Sequence, residues 1–127
     1  MPDRILILDD EKLIRWSLSQ IFRQEGFDVD LAASMDEALR LARTKPYGLI
    51  LADLEVCGDQ ARSFFPGLLR DQAQAKVIII TALPPDQAER QLGEFKAQRI
   101  VEKPFASEEI RAMVRAALAG PDQENRT

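Results

Sequence analysis

The sequence predicts an α/β fold, a (βα)5 three-layer sandwich with a parallel five-stranded sheet of order 2-1-3-4-5 between two layers of helices. Three observations predict it. Short aliphatic runs alternate five times with segments of helical periodicity along the 127 residues. Three of those runs, ILIL, GLILA and VIII, are nearly continuous in aliphatics, as strands buried on both faces are. The composition, 46% hydrophobic and 30% charged, suits one ordinary domain with one sizeable core.

The strands are expected at 4–8, 27–32, 47–52, 76–80 and 99–101. The second alternates, with Phe27, Val29 and Leu31 on one side and Asp28 and Asp30 on the other, which assigns it to a sheet edge. The first helix carries Ile14, Leu18, Ile21 and Phe22 on one stripe and is closed by Gly26. The second opens on Ser34-Met-Asp-Glu37, a capping box, and turns Ala38, Leu41 and Ala42 inward. The third spans about 60–70 with Phe64, Phe65 and Leu68 apolar. The fourth follows Pro84-Pro85-Asp86, where proline suits a helix entrance, and has the thin stripe Ala88, Leu92, Phe95. The fifth starts near Ser107, has Glu108 and Glu109 in its first turn, and shows the stripe Ile110, Met113, Val114, Ala117, Leu118. Gly120-Pro121 ends it, so one domain is expected over residues 1–120 and a polar tail or start of a linker over 121–127. Right-handed crossovers leave few topologies for five such units, and the flavodoxin-like order is the expected one.

Composition removes several classes of function. Net charge is −4, from 21 acids and 17 bases, and no stripe of Lys or Arg is present, so direct nucleic-acid binding is not expected. The single cysteine, Cys57, makes no internal disulfide, which fits a reducing compartment. With no histidine at all, zinc sites and Ser-His-Asp or Cys-His nucleophile systems are excluded. No apolar run approaches the ~20 residues of a membrane span and no signal-peptide pattern opens the chain, so a cytoplasmic protein without membrane contact is expected.

In a doubly wound sheet ligands bind beyond the carboxyl ends of the strands. Strand one ends in Asp9-Asp10-Glu11, strand three in Asp53, strand four in Thr81-Ala82 and strand five in Lys103-Pro104. Carboxylates, a hydroxyl and an ammonium thus converge on one rim. Adjacent like charges there call for a hard cation such as Mg2+, which takes carboxylate, carbonyl and water oxygens. Beside it a carboxylate could attack a phosphoryl donor, with Lys103 and Thr81 facing the transferring oxygens.

LDDE after the first strand, LADL at the third, TA after the fourth and KPF after the fifth resemble the receiver domain of bacterial two-component response regulators. The likeness covers about residues 3–119, in order and at matching spacings. It implies Asp53 as phosphoacceptor, with a sensor histidine kinase or a phosphotransfer protein as donor. It also implies Asp10, Asp53 and the backbone carbonyl of Glu55 as direct Mg2+ ligands, Asp9 acting through water, and a cis Lys103-Pro104 peptide. Such a domain assists its own phosphorylation and is not an enzyme on an external substrate. The resemblance further allows an effector domain in a longer chain and homodimerisation on activation. RWSL in the first helix is similar to receivers of enhancer-binding transcription activators.

Plainer readings stand beside these. Asp9 and Asp10 could cap the first helix, Glu11 could be a first-turn acid complementing its dipole, and Cys57 an inert loop thiol. Trp16 lies off the apolar stripe and is expected to be partly exposed. Four departures from the family bear on switching. Ile100 replaces the aromatic three residues before the lysine. Cys57 and Ala61 replace a usual Pro and Gly, with Gly58 left to supply backbone freedom. Lys96-Ala97 replaces the Gly-Ala that stops the fourth helix, and Glu55 adds a carboxylate two residues after the acceptor. The alternative is therefore a degenerate receiver acting as a phosphorylation-independent interaction module. An aspartate-nucleophile phosphatase fits less well, because those enzymes carry Asp-x-Asp after the first strand.

Overall fold

The computed structural model describes residues 3–119; the stop at Gly120-Pro121 and the polar tail lie outside the described residues. Five parallel strands form one sheet of order β2-β1-β3-β4-β5. The strands are β1 (Arg4–Leu8), β2 (Asp28–Ala32), β3 (Leu49–Asp53), β4 (Lys76–Thr81) and β5 (Arg99–Glu102). The main helices are α1 (Lys12–Gln24), α2 (Met35–Thr44), α3 (Ala61–Leu68), α4 (Pro85–Leu92) and α5 (Ser107–Leu118). The alternating strand β2 is indeed an edge, paired only through β1 with Val29 opposite Ile5.

Because successive strand residues point to opposite faces, each aliphatic run serves two cores. Ile5, Ile7, Leu49, Leu51, Ile78 and Ile80 pack beneath α1 and α5, meeting Leu18, Phe22, Ile110 and Val114. Leu6, Leu8, Ile50, Ala52, Val77 and Ile79 face α2, α3 and α4, meeting Ala38, Ala42, Phe65, Ala88 and Leu92. The near-continuous runs are thereby buried on both sides, as their composition requires.

Local signals act mostly as expected. Ser34 accepts the Glu37 N–H at 3.2 Å, but the Glu37 carboxylate reaches back to the Ala33 N–H at 2.7 Å, one residue earlier than an ordinary capping box. Gly26, with φ +95°, closes α1. Two expectations are corrected. The third helix does not begin at Gln60: a one-turn helix (Leu54–Cys57) and a 3-10 turn (Gly58–Gln60) precede α3, so Cys57 is buried in helix and not in a loop. The fourth helix does have a glycine stop. It ends at Leu92, and Gly93 at φ +66° takes the left-handed position that Lys96-Ala97 could not supply. Phe95 lies beyond that helix and stacks on Phe65 at 5.1 Å.

Gln72 is a structural element that no periodicity announces. Buried between the ends of α2 and β3, it donates from Nε2 to the carbonyls of Ala42 (2.7 Å) and Lys45 (2.5 Å) and accepts the Tyr47 N–H at 2.9 Å. One side chain thus satisfies three backbone groups where the chain turns into the central sheet.

Candidate functional site

The carboxyl ends of β1, β3, β4 and β5 share one rim, since parallel strands joined by crossovers all finish on the same side. Asp53 is the last residue of β3, opposite Ile80 of β4, and is 2% exposed. Its Oδ1 accepts the Glu55 N–H at 3.2 Å and lies 3.4 Å from Lys103 Nζ. Asp9, directly after β1, is also buried; its Oδ1 accepts the Glu11 N–H at 2.8 Å. Asp10 is exposed at the mouth. One carboxylate oxygen from each of Asp9, Asp10 and Asp53 lies within 4.8 Å of the others.

Neither Asp9 nor Asp10 caps α1. The N-cap position is Glu11, which makes no side-chain cap bond, and α1 has no acid in its first turn. Glu11 leans instead toward Lys103, at 4.0 Å. A residue the sequence reading passed over, Arg15, holds this turn by donating to the Asp9 carbonyl at 2.7 Å.

Burial and like charge shape the electrostatics of the site. Burial pushes the Asp53 carboxyl up to about 6, Asp9 adds to the rise, Lys103 opposes it, and Glu55 raises it again. Burial likewise raises Asp9, against the Glu11 N–H and Lys103, which favour its anion. Burial alone would lower Lys103, but Asp53 and Asp9 outweigh it and hold the ammonium above its ordinary range. The second oxygen of Asp9, Oδ2, is buried without a hydrogen-bond partner. A buried carboxylate oxygen with no donor, in a group of acids whose anions destabilise one another, suits a hard divalent cation. The donor set therefore fits Mg2+ chemistry.

On the opposite side of Asp53 the sheet offers donors. The Lys103-Pro104 peptide is cis, as expected, and the Lys103 N–H bonds the Thr81 carbonyl at 2.8 Å, locking the ends of β4 and β5 together. The Thr81 hydroxyl is fully buried, donates to Glu55 Oε2 at 2.5 Å and accepts the Leu83 N–H at 3.0 Å. The Ala82 N–H, absent from the expected set, donates to Glu55 Oε1 at 2.9 Å. All five expected side chains, Asp9, Asp10, Asp53, Thr81 and Lys103, thus gather at one rim. Glu55 lies on the one-turn helix after Asp53, and its side chain spans to β4.

Elsewhere Cys57 is buried, its thiol pushed up to about 12 by burial and then by Asp53 and Glu55, which makes it unreactive. Trp16 is 58% exposed and Leu13 72%, one turn apart on the outer face of α1. Ile100 is half-buried against the α2–α3–α4 core. Among the described residues no helix is long and apolar enough to cross a membrane.

Residues 5–115 match the family model described as the response regulator receiver domain. The transcriptional regulatory protein SrrA of Staphylococcus aureus (strain NCTC 8325 / PS 47) is 33% identical over 121 residues, covering 93% of this chain and 48% of its own. The chain spans about half the length of the curated relatives it matches. A response regulator from Burkholderia pseudomallei, solved with a phosphorylated aspartic acid, calcium ion and citrate, superposes with a TM-score of 0.78 at 24% identity over 96% of this chain and 72% of that one. The receiver domain of the sensor histidine kinase PA1611 from Pseudomonas aeruginosa PAO1, with a magnesium ion coordinated in its active site cleft, gives a TM-score of 0.80 at 20% identity over 94% of this chain and all of that one.

Proposed function

The chain belongs to the response regulator receiver domain family, and on that premise we propose that it accepts a phosphoryl group on Asp53 from a sensor histidine kinase or phosphotransfer protein. The observation that carries this reading is the buried Asp53 carboxylate, set between the acids Asp9 and Asp10 and the ammonium of Lys103 at 3.4 Å. A buried carboxylate beside an ammonium and a hydroxyl is arranged for transfer to its own oxygen.

In the proposed reaction an Asp53 oxygen attacks the phosphorus of a phosphohistidine. The new O–P bond forms as the N–P bond breaks, and the imidazole leaves. Lys103, the Thr81 hydroxyl and the Ala82 N–H face the oxygens on which charge is spread. Mg2+ would be held by Asp10, Asp53 and the Glu55 carbonyl, with Asp9 supporting it, and would supply the positive charge that lets these carboxylates and a phosphoryl group coexist. The unpartnered Asp9 Oδ2 supports that assignment. Asp53 is itself modified and later released, so no external substrate is turned over.

The output is then a shift of the Thr81 loop, α4, β5 and α5 between two arrangements, followed by homodimerisation or by release of an effector domain in a longer chain. Ile100 supplies no aromatic ring to that switch. The reading as a phosphorylation-independent module is weakened by the complete acid, hydroxyl and ammonium set. The test is intact mass after incubation with magnesium and acetyl phosphate, and with a phosphorylated histidine kinase. The protein is expected to gain one phosphoryl group and Asp53→Asn none. A protein left unmodified by both donors would sink the proposal.

A further inference from the structure

Two residues after Asp53, the Glu55 carboxylate already engages the donors that a phosphoryl group on Asp53 would need. Its Oε2 takes the Thr81 hydroxyl at 2.5 Å, its Oε1 takes the Ala82 N–H at 2.9 Å, and the same oxygen stands 3.9 Å from Lys103 Nζ. A hydroxyl, a backbone N–H and an ammonium around one anion form an oxyanion pocket built from the ends of β4 and β5. The side chain that fills it comes from the one-turn helix (Leu54–Cys57), whose start is fixed by the Asp53 carboxylate accepting the Glu55 N–H at 3.2 Å. Glu has the reach to cross from β3 to β4; an aspartate in the same place is one methylene shorter.

We propose that Glu55 is a built-in competitor for the phosphoryl site, its carboxylate occupying the Thr81, Ala82 and Lys103 donors and leaving when Asp53 is phosphorylated. This rests on the phosphoacceptor reading of Asp53. Two consequences follow from the geometry. The Thr81 loop is held toward Asp53 before any phosphoryl group arrives, so phosphorylation exchanges one anion for another at β4. Phosphoryl gain is opposed by the bonds Glu55 must give up, and removing them makes the site more receptive. Competition by occupancy differs from simple charge repulsion, because it depends on reach as well as charge.

The experiment uses beryllofluoride with magnesium as the phosphoryl probe, on the wild-type protein, Glu55→Ala and Glu55→Asp. Before any probe is added, the Ala82 amide proton is expected downfield in the wild type and shifted upfield in both variants. Both variants are expected to bind beryllofluoride at least tenfold more tightly, since two hydrogen bonds to a charged group no longer need breaking. If Glu55→Asp, which keeps the charge, binds like the wild type while Glu55→Ala binds more tightly, repulsion and not occupancy is at work and the proposal is overturned. An Ala82 resonance that ignores both substitutions overturns it as well. Tight binding of equal strength in all three proteins overturns the competition and leaves the phosphoacceptor reading standing. No binding in any of them overturns both.

Discussion

Replacing Asp53 by Asn is expected to stabilise the protein at neutral pH, and the gain is expected to depend on pH. In the folded protein the Asp53 carboxyl titrates near 6, against an ordinary value of 3.8, because burial and Asp9 disfavour its anion more than Lys103 favours it. A carboxyl with a raised folded pKa holds its proton more tightly folded than unfolded. Its ionisation therefore costs nothing below about pH 4, costs progressively more between about 4 and 6, and reaches a constant penalty above that. A carboxyl at about 6 in place of 3.8, at ~1.36 kcal/mol for each tenfold change in proton affinity, carries a penalty of roughly 3 kcal/mol. Asn carries no charge at any pH and escapes it, though Asp9 relaxes when its neighbour is neutral, so the two effects do not simply add. Urea unfolding with a chelator present, followed by far-UV circular dichroism at pH 4 to 8, is the assay; Trp16, already 58% exposed, is a poor reporter. The difference between Asp53→Asn and wild type is expected to grow from near zero at pH 4 to about 2–3 kcal/mol above pH 7. A difference that stays flat across this range, or a variant less stable at pH 8, would refute the electrostatic account of the site.

Magnesium is expected to raise the melting temperature of the wild type, by the equivalent of about 2.7 kcal/mol at a hundred times its dissociation constant. The rise should be larger at pH 8 than at pH 5, where the proton on Asp53 competes, and equal rises at the two pH values would argue against this ligand. Gln72→Ala leaves the Ala42 and Lys45 carbonyls and the Tyr47 N–H without their partner. It is expected to cost about 3 kcal/mol in equilibrium unfolding with Asp53 phosphorylation unchanged in the folded protein. Cys57, buried and with its thiol raised to about 12, is expected to resist a thiol reagent at pH 8 until the protein is unfolded, and rapid labelling of the native protein would contradict its placement.

Much of the site was legible in the chain because a doubly wound sheet turns sequence order into position. Each buried run must be a strand, every strand in a parallel sheet ends on the same rim, and the residue after each run is delivered there. That logic reaches Asp9, Asp53 and Thr81 as the residues directly after their runs, and Asp10 and Lys103 one position further along. The edge position of β2 and the helix stripes followed for the same reason: periods of 2.0 and 3.6 are written locally.

What escaped the sequence depends on contacts between distant segments. Nothing near Glu55 says that its carboxylate bridges to Thr81 and Ala82, 26 and 27 residues away. Nothing near Gln72 says that it closes the ends of α2 and β3. Gly93 ends the fourth helix although the apolar stripe continues through Phe95 toward Lys96-Ala97, so periodicity alone points past the true stop. Hydrophobic periodicity and crossover handedness are written in local segments, so the sheet, its order and the groups carried to its rim can be read from the chain. Which of those groups pair is set by contacts between strands distant in the chain. A long side chain's partner and a buried oxygen's lack of one exist only after separate strands have been brought side by side.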